Sequence, residues 1–93
     1  MNQKERIAYF EKILNKGESI IKELEKSIEE FKTYQDKIDD LDAYFQSEER
    51  KIDVKDDENH KFPQDMKRGV LGEDYIYDLL TTWDELKEIV KKY

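Results

Sequence analysis

Between Ile7 and Phe31 the apolar row runs Ile7, Phe10, Leu14, Gly17, Ile21, Leu24, Ile28 and Phe31, alternating steps of three and four residues. A repeat near 3.5 residues lies along one side of an α-helix and has no counterpart in a strand, whose side chains alternate every two. Ile13, Ile20, Tyr34 and Leu41 form an adjacent row, widening the stripe from a two-stranded seam to the broader face of a bundle. After Phe31 the first row keeps Ile38 and Phe45 but alternates them with Gln35 and Asp42, so the contact rotates towards Tyr34 and Leu41. No proline interrupts the pattern, and Glu18 with Lys22 is a favourably oriented ion pair on the wet face. The spacing predicts one long helix over residues 4–46, about 60 Å long. Gly17 lies on the apolar row at a cost of about 1 kcal/mol relative to alanine, which points to close approach of a partner backbone rather than a bend.

The only proline and two of the three glycines gather in residues 62–74. This stretch reads as a corner. Pro63 is suited to open a single helical turn, Gly69 to close it in the left-handed conformation, and Gly72 to cap a second helix. The structural corner is therefore Pro63, Asp65, Arg68, Gly69, Leu71 and Gly72. Beyond it, Ile76, Leu79, Trp83, Leu86, Val90 and Tyr93 repeat the three-and-four spacing, predicting a helix over residues 73–92 of about 30 Å. Leu71 and Ile76 are spaced as a hydrophobic staple, and Glu73 with Asp74 suits the positive end of the helix dipole. Between the helices, Ser47 is a cap with acids behind it, allowing a short turn through Arg50. Residues 51–61 have no sustained period and are rich in acids, so residues 47–72 are expected to form a mobile loop with short helical turns.

These elements predict an all-α chain, a single helical domain over residues 1–93. The long N-terminal helix and the shorter C-terminal helix would form an antiparallel hairpin. Their lengths do not match. A short helix folded onto the half of the long one nearest the loop leaves Ile7, Phe10, Leu14, Gly17 and Ile21 uncovered, a candidate interface that a coiled-coil or bundle homodimer would bury. The net charge of −7 argues against nucleic acid and anionic membranes as partners and would attract a basic protein or a cation. No apolar run approaches a membrane span, and the absence of cysteine fits a reducing cytoplasm.

The side chains that carry chemistry are sparse. His60 is the single histidine and lies in the acidic segment, while Ser19 and Ser27 fall within the helical pattern, so no nucleophilic triad is indicated. Asp53, Asp56, Asp57, Glu58 and His60 lack the spacing and central glycine of a calcium loop. No catalytic, cofactor-binding or metal residue is assigned, and no cofactor is expected. Lys67 and Arg68 with Asp65 offer a small-anion corner, but Glu73 and Asp74 already occupy the helix end that an anion would use. The sequence favours a noncatalytic protein–protein interaction module. Its alternatives are a small-anion-binding protein or enzyme using Asp65, Lys67 and Arg68, and an acidic protein that masks a basic partner.

The run from Phe62 to Asp74, continuing through Tyr77, Asp78, Leu79 and Leu80, resembles the hallmark of a family of small helical bacterial proteins known only as a domain of unknown function. Tyr44, Phe45 and Ser47 to Glu49 are similar to its second block. The resemblance implies a helical fold and a bacterial, cytoplasmic origin, and carries no activity with it. Members often have serine where this chain has Gly72 and tryptophan where it has Arg50, which implies a weaker cap and a less anchored loop here.

Overall fold

In the computed structural model, which describes residues 1–93, Asn2 sets the start of the first helix. Its Oδ1 accepts the Glu5 backbone N–H at 2.8 Å and its Nδ2 donates to Glu5 Oε1 at 3.1 Å, a reciprocal cap that satisfies an otherwise orphan amide. Helix α1 then runs Gln3–Thr33. At its end Thr33 Oγ1 donates back to the Glu30 carbonyl at 3.1 Å, a local bond that competes with the helical ladder. Where the sequence predicts one helix over residues 4–46, there are two, α1 and α2 (Gln35–Phe45), with Tyr34 between them.

The chain divides between Thr33 and Tyr34 into two units. The first is α1 alone, and no residue of it is buried. Ile7, Phe10, Leu14 and Ile21 are each 54–56% exposed. No atom lies within 4 Å of where a Cβ on Gly17 would stand.

The second unit contains α2, α3 (Glu48–Glu58), a 3-10 turn at Gly69–Leu71 and α4 (Glu73–Val90). Its core is small: Ile38 of α2 is 6% exposed and Ile76 of α4 is 3% exposed. Trp83 meets the start of α2, donating Nε1–H to Gln35 Oε1 at 2.9 Å with its ring 6.3 Å from that of Tyr34. Leu41, one turn beyond Ile38, shares a small cavity with Ile76 and Leu79. Neighbours along α4 thus run in reverse order to those along α2, whose inner face is centred on buried Ile38 with half-buried Gln35 and Leu41 beside it. Gly72 caps α4 in an extended conformation without a side chain, and Glu73 and Asp74 occupy its first turn.

Helix α3 corrects the expected loop over residues 47–72. Ser47 caps it, accepting the Arg50 N–H at 3.1 Å while donating to the Tyr44 carbonyl at 2.7 Å. The helix continues for 11 residues because polar rather than apolar contacts fix it. Its apolar Ile52 points outward, 59% exposed.

The stop after α3 is equally unexpected. Lys61 N–H bonds to the Asp56 carbonyl and His60 N–H to the Asp57 carbonyl, both at 3.0 Å, the pair of bonds that defines a Schellman end. His60 takes the left-handed position with φ 58°, while no glycine in the chain has positive φ. The expectation that Gly69 closes a turn in that conformation is therefore overturned: Gly69 begins the 3-10 turn instead. Pro63 does not open a helical turn either; it begins a hydrogen-bonded turn closed by Met66 N–H on its carbonyl at 3.1 Å. Because an L side chain is strained in the left-handed region, His60→Gly is expected to stabilise the second unit by about 1 kcal/mol. Denaturant unfolding reads this as a higher midpoint with an unchanged slope.

Candidate functional site

A cavity of about 180 Å³ opens at the corner between α3 and α4, lined by Tyr44, Asp53, Phe62, Met66, Lys67, Arg68, Val70 and Leu71. Asp53 is the residue of α3 on its wall, and it lies on the inner face of that helix. Arg50, Asp53, Val54 and Asp57 follow the helical spacing of three, four and seven residues, and all four are at least partly buried. Each charged member finds a partner. Tyr44, at the end of α2, donates its hydroxyl to Asp53 Oδ2 at 2.6 Å. Arg50 donates Nε–H to the Val70 carbonyl at 3.2 Å, and its guanidinium lies 4.6 Å from the Phe45 ring centre. Arg68 donates Nη1–H to Asp57 Oδ1. These three links tie α2, the 3-10 turn and the residue before it to α3. The less anchored loop implied by Arg50 is thus not what this chain builds: a cation over an aromatic face, with a carbonyl for its N–H, anchors the segment.

The bond to Asp53 raises the Tyr44 pKa above the ordinary tyrosine value, with burial and the Asp53 charge adding to the shift and Arg50 opposing it. The raised value means that the folded state holds the phenolic proton more tightly than the unfolded state. Its contribution to stability is complete below the unfolded pKa and is lost as pH rises through the folded one. In a phenolate absorbance titration, Tyr44 is expected to ionise above the ordinary tyrosine value. Asp53→Asn should lower its pKa, and a titration unchanged by that substitution would contradict the assignment.

The residues that the sequence places at the corner separate here. Lys67, Arg68 and Leu71 line the cavity, whereas Asp65 is exposed in the turn opened by Pro63 and is not part of its wall. A wider opening of about 520 Å³ lies beside it, between Asp57, His60, Phe62, Gln64 and Arg68. The carboxylate of Asp57 meets the Arg68 charge that an anion would need. Asp53, Asp56 and Asp57 are engaged by Tyr44, Lys61 and Arg68, and no three acidic or histidine side chains converge as a metal site. What remains is a cavity with apolar walls, of the size that admits one benzene-like group. Ile7, Phe10, Leu14, Gly17 and Ile21 lie together on α1, in the other unit.

Tyr44, Arg50, Asp53 and Asp57 were not selected from the sequence as site residues. The helical spacing of Arg50, Asp53, Val54 and Asp57 is the available signal, hidden because three of the four residues on that face are charged.

The family model described as a domain of unknown function, DUF4298, matches residues 7–93. No curated protein and no solved structure matches the chain. No helix is long and apolar enough to cross a membrane.

Proposed function

The chain belongs to the DUF4298 family, and from that premise we propose a noncatalytic protein–protein interaction module, a cytoplasmic helical hairpin that pairs with a second copy through α1 into a bundle homodimer. The observation that carries this reading is the α1 stripe. Ile7, Phe10, Leu14 and Ile21 are all more than half exposed on a helix with no buried residue. Contiguous apolar surface of this kind is a strong driving force for association.

Two further observations support the reading. The return of α4 along α2 through Ile76, Leu79 and Trp83 fits a hairpin whose short arm covers the segment nearest the turn. The corner has its charged groups paired and its cavity walls apolar, which suits docking of a side chain better than bond-making. With a net charge of −7, further partners are expected to present basic surfaces.

Light scattering on the purified protein tests the core of the proposal. The wild type is expected to be a dimer at micromolar concentration. Phe10→Asp, which places a charge in the apolar row, should weaken the dimer by about 100-fold or more. A wild type that scatters as a monomer at 100 μM, by order of magnitude the top of the useful range, would remove the dimer from the proposal.

A further inference from the structure

The corner cavity carries two opposite charges that do not neutralise each other. Asp53, half-buried on α3, and Lys67, exposed in the segment before the 3-10 turn, both line it. The Tyr44 hydroxyl takes Asp53 Oδ2, which leaves Oδ1 without a protein donor. Lys67 forms no ion pair. Arg68, the other cation of the wall, is already met by Asp57. Most of the remaining wall is hydrocarbon, half-buried at Phe62 and Leu71 and more open at Met66 and Val70, 49% and 45% exposed. We propose that this cavity binds a small ω-amino carboxylate, with its ammonium on Asp53, its unbranched chain against the apolar walls and its carboxylate at Lys67 on the rim.

The placement of the charges sets the order of the ligand. The more sheltered group is the carboxylate, whose open oxygen needs a donor once water is displaced from an apolar wall. A primary ammonium brings three N–H groups to it. A simple anion would meet only exposed Lys67, a contact worth little, and would be repelled by Asp53. A simple amine would satisfy Asp53 but carry no charge to answer Lys67. A chain with an ammonium at one end and a carboxylate at the other uses both. A dry cavity of about 150 Å³ holds benzene, so this one, at about 180 Å³, takes a hydrocarbon segment of about five or six carbons. A lysine at the end of a polypeptide presents the same two charges, but with a peptide N–H beside its carboxylate. Met66 and Val70 offer that N–H no side-chain oxygen or nitrogen, and the Val70 carbonyl is taken by Arg50. The free molecule therefore suits the rim better.

Methyl-region NMR on the full chain tests this with 6-aminohexanoate, pentylamine and hexanoate as probes, each titrated to about 10 mM. The first is expected to bind at or below about 1 mM, shifting the methyl signals of Met66, Val70 and Leu71. Pentylamine should bind about two- to fivefold more weakly, and hexanoate about tenfold more weakly or worse. Lys67→Met, at an exposed position, should erase the advantage of 6-aminohexanoate over pentylamine without weakening pentylamine. Asp53→Asn should weaken both amines about tenfold or more, with the urea transition of Trp83 fluorescence showing that the variant is folded. Unmoved methyl signals at about 10 mM 6-aminohexanoate overturn the proposal. So does hexanoate binding as tightly as the amines, or a folded Asp53→Asn protein that binds them unchanged. A Lys67→Met protein in which the two amines keep their difference overturns the place of the carboxylate. Nα-acetyl-lysine binding more tightly than 6-aminohexanoate would move the occupant to a polypeptide end and overturn the free ligand.

Discussion

Replacing Ile76 with alanine is expected to destabilise the second unit by about 3 kcal/mol, within the range for removing most of a fully buried isoleucine and leaving the space behind. The effect is large because the core is so small. Only Ile38 and Ile76 are buried, and at about 0.05–0.15 kcal/mol per residue a unit of this size has only a few kcal/mol to lose. Ile76 also stands where the 3-10 turn and α2 both approach α4, so neighbours on two sides lose contact at once. Trp83 supplies the readout. Its indole is fixed by Gln35 and faces Tyr34, so its fluorescence in urea reports the α2–α4 contact directly. Ile76→Val should cost about 1 kcal/mol, and Ile52→Ala, on the outward side of α3, less than about 0.5 kcal/mol. Equal effects at Ile52 and Ile76 would contradict the assignment of the core.

Helices α1, α2 and α4 were legible because their apolar residues recur at helical spacing. The expected rotation of the contact towards Tyr34 and Leu41 is not what α2 shows: Ile38 of the first row is the buried residue, Gln35 and Phe45 of that row are half-buried, and Tyr34 is 55% exposed. Helix α3 was not legible. Apolar periodicity measures burial of hydrocarbon, and α3 turns Arg50, Asp53 and Asp57 inward while Ile52 faces water. Its end was hidden for a related reason. Glycine is the usual residue of a left-handed stop, which points to Gly69, whereas His60 takes that conformation and the Lys61–Asp56 ion pair, at 3.3 Å, closes the motif where an apolar contact is common. The break after Thr33 is a single residue, Tyr34, between two helices, which residue spacing does not encode. The partners of the corner residue Arg68 and of the 3-10 turn, Asp57 and Arg50, come from α3, whose polar inner face has no apolar period.

The Arg68–Asp57 pair is expected to show a coupling of about 1–2 kcal/mol in a double-mutant cycle of Arg68→Ala, Asp57→Ala and the double variant. Both side chains are about 30% exposed, which places the pair between surface ion pairs, usually worth less than 1 kcal/mol, and buried ones, whose disruption costs 3–5 kcal/mol. Arg68 immediately precedes the 3-10 turn and Asp57 lies in the last turn of α3, so the bond closes the segment that carries Phe62, Pro63 and Met66. Breaking it frees that segment as well as separating two charges. Each single variant should therefore lose more than the exposed Lys51–Glu48 pair can supply, a contact whose side chains are 70% and 83% exposed. The loss should also change little between low and moderate salt, because a partly desolvated pair is screened less than a surface one. Unfolding midpoints of the four proteins at two salt concentrations measure both quantities. A coupling near zero, or one that vanishes at moderate salt, would mean that the corner is held by Tyr44–Asp53 and Arg50–Val70 alone.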